Sequence, residues 1–182
     1  MEHPHRLTPD LHALVALFYR APGDLGRFEE VYLSRMPDPY RELLAHTHHM
    51  TVTIEAFHES SVDVRVLDKL VTPTHYSRKI LLTRQRDGRV VLYGIMRVNL
   101  AALGPEVRAE IEAERTPLGR ILIEHDVLRR IHLMSLWKVF PGDELCRLFE
   151  LDAPRETYGR AAVIDCNGEP GVELLEIVPP VP

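Results

Sequence analysis

The stretch Tyr76-Ser77-Arg78-Lys79-Ile80-Leu81-Leu82-Thr83-Arg84, with Gln85-Arg86-Asp87-Gly88 and the run RVVLYGIMRVN at 89–99 after it, decides the fold. An Asp-Gly pair between two apolar segments is a strong signal for a tight hairpin, because such turns need positive φ angles. The spacing therefore predicts two antiparallel strands, 76–84 and 89–99, within a sheet.

Further strand signals flank this hairpin. Asn167-Gly168 separates 161–166 from 171–178 and predicts a second antiparallel pair. Period-two alternation or an apolar run predicts three more strands, at 50–57, 62–66 and 128–139.

Helical signals lie between and before these strands. Thr8 and Pro9 form a helix start, and apolar residues follow at helical spacing: Leu11, Leu14, Val15 and Phe18. Further helices are predicted for the segment with Leu25, Phe28 and Tyr32, for 105–114, from Thr116, and for 143–149. Hairpin-linked strands with grouped helices indicate an α+β fold, an antiparallel β-sheet with helices packed against it.

The composition is typical of one domain that takes up residues 1–182. A formal charge of −5 gives no basic field for nucleic acid or an anionic membrane, so neither partner is expected. Cys146 and Cys166 lack the spacing of metal ligands, which favours reduced thiols in a cytoplasmic protein.

The segment Thr116-Pro117-Leu118-Gly119-Arg120-Ile121-Leu122 has the residues of a helix start. Thr116 is a good N-cap, and Pro117 suits the first helical position. The N–H groups of Leu118 and Gly119 then lack partners within the helix, and Gly119 has no side chain to block a ligand. A carboxylate could bind there.

Arg78 shares one face of its predicted strand with Ile80 and Leu82. If that face is the core face, its guanidinium needs a partner or an anionic ligand, because an unpaired buried charge is costly. The alternative is that Arg78 lies near the strand end and reaches water.

Two acidic residues in the last strand pose a related question. Glu176 lies on the face of Val172 and Leu174, whereas Glu173 lies on the other, and alternation alone does not choose which points inward. Arg160, at the start of the preceding strand, is either a second positive group of the cavity or an exposed arginine. An inward arginine and glutamate beside a helix start would suit a small molecule with carboxylate and hydroxyl groups.

Other chemistry has little support. The cluster His46, His48 and His49 matches no zinc spacing, which favours a solvated loop and no metal. No serine has a nucleophile-elbow context, and neither GxGxxG nor a P-loop occurs. No cofactor is expected.

These residues also resemble a known family. The blocks at 49–53 (HMTVT), 77–82 (SRKILL), 116–122 (TPLGRIL), 158–160 (YGR) and 173–176 (ELLE) are similar to the chorismate pyruvate-lyases. The resemblance is greatest to the branch that makes 4-hydroxybenzoate for mycobacterial phenolic lipids. It runs from about residue 43 to 180, and TPLGR is its most specific part.

The resemblance implies a sheet of about six antiparallel strands and a cofactor-free carbon-oxygen lyase. Its substrate would be chorismate, and its products 4-hydroxybenzoate, an aromatic acid, and pyruvate. Arg78 and the amides of Met50 and Leu118, beside Gly119, would hold a carboxylate, and Glu176, rather than Glu173, would contact the ring hydroxyl. Arg78 and Glu176 are then the expected catalytic residues.

One position departs from that pattern. Ubiquinone-pathway members have an arginine directly after the glycine of the second hairpin strand, whereas here Ile95 follows Gly94. Arg97 lies two residues further along, on the same face as Ile95, and is the candidate substitute. Two alternatives stay open: a non-catalytic small-acid-binding domain like the ligand-sensing domains of GntR-type repressors, or a lyase for a related cyclohexadienyl acid.

Overall fold

The computed structural model describes residues 10–181 and contains an antiparallel sheet of seven strands in the order β1-β5-β6-β7-β4-β3-β2. The strands are β1 Gly26–Val31, β2 Val62–Val71, β3 His75–Arg84, β4 Val90–Asn99, β5 Arg129–Pro141, β6 Thr157–Cys166 and β7 Glu169–Ile177. Both predicted hairpins, β3-β4 and β6-β7, are confirmed, as is the α+β class. The sheet has seven strands instead of about six.

Six α-helices surround the sheet within the described residues. They are α1 Leu11–Ala16, α2 Tyr40–Leu44, α3 Met50–His58, α4 Pro105–Glu112, α5 Leu118–Glu124 and α6 Asp143–Leu148, with short 3-10 turns at Pro22–Asp24, Leu33–Arg35 and Leu100–Ala102. The helices predicted at 105–114 and 143–149 are confirmed as α4 and α6. Across the described part of the chain, every helix is too short or too polar to cross a lipid bilayer.

The two faces of the sheet carry different neighbours. On one face, α1 and α6 pack on Leu81, Tyr93 and Leu175. The other face is covered by α2 to α5 and is where Arg78, Arg160 and Glu176 project. Because side chains alternate along a strand, these polar residues share a face with Ile80, Leu82 and Leu174.

The prediction of a strand over 50–57 is wrong, since Met50–His58 forms α3. Met50 and Ile54 are 4% and 0% exposed and lie one helical turn apart, whereas Val52 between them is 49% exposed. A spacing of four residues fits both the helical period of about 3.6 and the strand period of about 2, so the alternation did not exclude a helix. The burial of Met50 and Ile54 against Ile80 and Leu92 favours the helical form.

The helix predicted for Leu25, Phe28 and Tyr32 is also wrong. Gly26–Val31 is the edge strand β1, which pairs with β5 and adds the seventh strand. At Gly26 a Cβ atom would lie 2.5 Å from the carbonyl oxygen of Phe140, so only glycine permits this close approach. Tyr32, expected on a packed helix face, is 80% exposed just after the strand.

Of the two predicted helix starts, the one at Thr116 differs from the structure. Thr8 and Pro9 lie outside the described residues, and α1 is capped by Asp10, whose side chain accepts from the His12 N–H at 2.9 Å. Thr116 does not cap α5, because Pro117 keeps an extended ψ of 139° and is itself the N-cap. The first turn closes when Arg120 N–H and Ile121 N–H donate to the Pro117 carbonyl.

Candidate functional site

A cavity lies between the sheet and the beginnings of α3 and α5. About 580 Å³ inside it is not filled by protein atoms, solvent at its mouth included. Six of the seven residues predicted for a binding site line it, namely Met50, Arg78, Leu118, Gly119, Arg160 and Glu176. Residues from distant parts of the chain therefore converge on one space.

Arg78 is the most unusual group of this cavity. Its side chain is 1% exposed, and its Nε has no hydrogen-bond partner. The other nitrogens make only long contacts, 3.4 Å from Nη1 to the Ile111 carbonyl and 3.5 Å from Nη2 to the Thr116 carbonyl. Among residues 10–181 no carboxylate lies within 4.0 Å of this guanidinium. Burial lowers the pKa of Arg78, and Tyr76 and Glu114 offset part of that effect.

The helix starts beside Arg78 contribute main-chain donors. Helix α3 begins at Met50 and α5 at Leu118, and the first N–H groups of a helix have no acceptor within it. The two starts are in close contact, since a Cβ on Gly119 would lie 2.9 Å from Thr51 Oγ1. Gly119 is therefore required by packing between the helices, as well as lining the cavity.

The opposite end of the cavity holds a buried ion pair. Arg160, which is 1% exposed, donates from Nε to Glu176 Oε2 at 2.7 Å. Its Nη1 donates to the His46 carbonyl at 3.0 Å. Glu176 is 8% exposed and points into the cavity, whereas Glu173 lies on the other face of the sheet. The structure thus places Glu176, not Glu173, next to Arg160.

Arg97 does not line the cavity. Strand alternation directs it to the opposite face, where its Nε lies 2.6 Å from Glu173 Oε2. The pairing of Arg78 with Met96 in the β3-β4 register puts even-numbered β4 residues on the cavity side, so Ile95 and Arg97 both face away. The prediction that Arg97 substitutes for the missing arginine of the site is corrected by this placement.

The floor between the two charged ends is apolar. Ile80, Leu92, Met96 and Leu174 contribute its side chains. Gly94 lies at its centre, opposite Ile80 on one side and Glu176 on the other. Since neighbouring strands are about 4.8 Å apart, the β3 strand of Arg78 and the β7 strand of Glu176 are separated by roughly 10 Å. That span and the apolar floor suit a single ring.

Two histidines that the sequence grouped as a loop cluster also border this space. His49 lines the cavity, and His46 contacts Arg160. Burial, aided by nearby arginines, lowers the pKa of each to about 4, so both are neutral near pH 7.

Thr51 is a cavity residue that sequence reasoning missed. It is 6% exposed, and its hydroxyl makes no hydrogen bond to any residue between 10 and 181. The strand assigned to 50–57 put Thr51 on the face opposite Met50. A helical interpretation of the same residues, with Met50 and Ile54 one turn apart, would have placed it at the helix start.

Comparison with known proteins supports the fold. No family model and no curated protein sequence matches this chain. PhnF from Mycobacterium smegmatis superposes with a TM-score of 0.54 and 11% identity, over 74% of this chain and 64% of PhnF. The gene product SA0254 from Staphylococcus aureus gives a TM-score of 0.51 and 10% identity, over 74% of this chain and 90% of that one.

A third similar structure is described as the ligand-binding domain of a GntR-family transcriptional regulator from Bordetella bronchiseptica. Its TM-score is 0.47 at 14% identity, over 64% of this chain and 85% of that chain, and a likeness at this level carries no weight. The chain described here spans less than two thirds of PhnF. At these identities the comparisons establish a shared fold, that of PhnF and SA0254, and no shared activity.

Proposed function

We propose that this chain binds a small cyclic carboxylic acid as a monoanion in the cavity between the sheet and helices α3 and α5. The carboxylate lies against Arg78, the ring rests on the apolar floor, and a polar substituent at the far end meets Glu176 and Arg160. Binding of this kind requires no cofactor.

The unpaired buried guanidinium of Arg78 carries the proposal. A cation that is 1% exposed and has an unsatisfied Nε is costly unless a ligand compensates it. A carboxylate is the matching group, because it accepts two parallel hydrogen bonds from one guanidinium. The N–H groups at the start of α3 and the Thr51 hydroxyl supply further donors for the same group.

The charges of the cavity favour one negative charge on the ligand. Arg160 and Glu176 neutralise each other, and both histidines are neutral near pH 7. Arg78 therefore leaves a single positive charge without a partner. A monocarboxylate such as a hydroxybenzoate balances that charge, whereas a dicarboxylate brings one charge too many.

A second candidate function is chorismate pyruvate-lyase activity. It is supported by the convergence of Met50, Arg78, Leu118 and Glu176, the four positions that the sequence resemblance implies. In that reaction the enolpyruvyl ether C–O bond breaks, and the hydrogen of the hydroxyl-bearing ring carbon moves to the enolpyruvyl methylene. Pyruvate leaves and the ring becomes aromatic. Holding chorismate in this cyclic geometry is the main task of such a cavity.

One mismatch of charge weighs against the lyase as the first choice. Chorismate carries two carboxylates, whereas among the described residues Arg78 is the one arginine lining the cavity that lacks a carboxylate partner, and Arg97 lies on the opposite face of the sheet. The binding proposal needs neither a second free arginine nor any reaction step, so it fits the observed side chains better.

Two measurements on the same protein separate the two functions. Calorimetric titration with benzoate, 4-hydroxybenzoate, 3-hydroxybenzoate and benzamide tests binding, and we expect saturable binding of the acids but not of the neutral amide. Incubation of the same protein with chorismate, followed by assay for pyruvate, tests the lyase. Pyruvate formation would make the lyase the correct function, and equal binding of benzamide and benzoate would contradict both.

A further inference from the structure

His49, the residue before α3, forms part of the wall between the cavity and a surface groove. Arg129 Nε lies 2.6 Å from His49 Nε2. Arg129 is itself held in place, since its Nη1 donates to the Val127 carbonyl at 2.9 Å and to the Leu122 carbonyl at 3.3 Å. The imidazole orientation is therefore fixed by an anchored guanidinium.

This contact determines which ring nitrogen of His49 carries the proton. A guanidinium has donors and no acceptor, so Nε2 accepts the hydrogen bond and bears no hydrogen. The proton of the neutral ring is then on Nδ1. The low pKa of His49, about 4, agrees with a neutral ring in this position.

The Nδ1 atom of His49 lies beside Gly119, another residue that lines the cavity. A Cβ atom placed on Gly119 would lie 3.3 Å from His49 Nδ1 and 2.9 Å from Thr51 Oγ1. Neither polar atom has a hydrogen-bond partner within the described chain, and both residues line the cavity. Two neutral donors therefore flank the same small space, beside the N–H groups at the start of α3.

We infer that His49, held as the Nδ1–H tautomer by Arg129, donates a hydrogen bond to the anion bound at Arg78. This inference rests on the proposed function, because it assigns a further donor to the same ligand. His49 is a binding residue in this account, and Arg129 is a positioning residue that acts through it. A neutral donor adds specificity without adding charge, which keeps the cavity matched to a monoanion.

The first test examines the tautomer without any ligand. Long-range ¹H–¹⁵N NMR of the histidine rings distinguishes a protonated Nδ1 from a protonated Nε2. We expect the Nδ1–H form for His49 in the wild-type protein. In the Arg129→Met variant the ring loses its fixed acceptor role, and we expect the Nε2–H form to become populated. A wild-type Nε2–H form, or a doubly protonated ring at pH 7, would overturn the inference.

The second test uses isosteric variants and titration with 4-hydroxybenzoate. The amide nitrogen of Asn occupies the place of Nδ1, and that of Gln occupies the place of Nε2. His49→Asn should bind within about threefold of the wild type, whereas His49→Gln and Arg129→Met should bind about tenfold or more weakly, as expected for losing a hydrogen bond to a charged group. His48→Asn and Arg130→Met, two neighbouring exposed side chains, serve as matched controls and should bind normally.

The pattern of results separates this inference from the proposed function. Normal binding by His49→Gln and Arg129→Met, together with lost binding by Arg78→Met, would leave the proposed function intact and overturn the role of His49. Equal loss in His49→Asn and His49→Gln would overturn the assignment of Nδ1 as the donor. An absence of binding by the wild-type protein would overturn both proposals.

Discussion

Arg160 and Glu176 occupy directly opposed positions on β6 and β7, and their side chains are joined at 2.7 Å inside the cavity. The pair is charge-neutral as a unit. The positive charge available for a ligand therefore comes from Arg78, which has no such partner within the described residues. The cavity thus contains one arginine whose charge is paired and one whose charge is not.

Replacing Arg78 with Met should weaken ligand binding without lowering the stability of the ligand-free protein. Without ligand, removal of an unpaired buried charge should leave the protein as stable as the wild type or up to about 3 kcal/mol more stable. Binding of 4-hydroxybenzoate should weaken by at least about 30-fold, because a hydrogen-bonded charge pair is lost. Urea unfolding and calorimetry measure the two quantities.

Arg97→Met is the matched control for this variant, because Arg97 pairs with Glu173 on the opposite face of the sheet. Its affinity for the acid should be unchanged. Strong destabilisation of Arg78→Met in the absence of ligand would show that the guanidinium is already compensated within the protein. Retained affinity would show that the acid binds without Arg78.

The ion pair between Arg160 and Glu176 should show strong coupling. Each single change to Met leaves the other charge buried and should reduce the free energy of unfolding by about 3–5 kcal/mol. The double variant Arg160→Met/Glu176→Met should recover much of that loss. A double-mutant cycle from urea unfolding gives the coupling energy, and a value near zero would mean that the two charges are solvated independently.

A methyl group at Gly94 should block the ring without disturbing the fold. The added Cβ would lie 3.4 Å from Ile80 Cδ1 and 3.5 Å from Leu92 Cδ2, which is ordinary contact. Gly94→Ala should therefore match or slightly exceed the wild type in stability, because glycine weakens a strand. Its affinity for 4-hydroxybenzoate should fall, and Gly94→Val should bind still more weakly. Wild-type affinity in both variants would place the ring elsewhere.

The free energy of unfolding should fall over a defined range of acid pH. The pKa values of His46 and His49 are lowered from 6.5 to about 4 in the folded state. Between these values the unfolded chain binds more protons than the folded one, so the free energy of unfolding falls as pH decreases from 6.5 to about 4. Above pH 6.5 the two histidines contribute no dependence.

The His49→Asn variant should lose part of this slope, and His48→Asn should keep it. Chemical unfolding at pH 7, 6, 5 and 4.5 measures the effect in all three proteins. Identical slopes in the wild type and His49→Asn would indicate that His49 titrates normally in the folded protein.

Local signals in the sequence predicted much of the sheet. The turns at Asp87-Gly88 and Asn167-Gly168 depend on a few adjacent residues, so both hairpins were predictable. The segment at 50–57 was not, because the spacing of Met50 and Ile54 fits a helix and a strand alike. Its true state depends on burial against Ile80 and Leu92, which are distant in the sequence.

The sequence predicted which residues form the candidate site better than it predicted how they pair across neighbouring strands. The apolar neighbours of Arg78 on one strand face made an inward direction one of two alternatives, and its 1% exposure in the structure decides between them. The pairing of Arg160 with Glu176 could not be predicted from the sequence. A β-bulge between Ile164 and Asp165 shifts the pairing of β6 with β7 by one residue. The outward direction of Arg97 likewise depends on how β4 aligns with β3, which no local pattern fixes.

The most direct measurement is a crystal structure of the protein with 4-hydroxybenzoate. We expect density for the ring over Gly94, with a carboxylate oxygen within hydrogen-bond distance of Arg78 Nε. An acid bound outside the cavity, or a carboxylate turned toward Glu176 with Arg78 still unpaired, would contradict it.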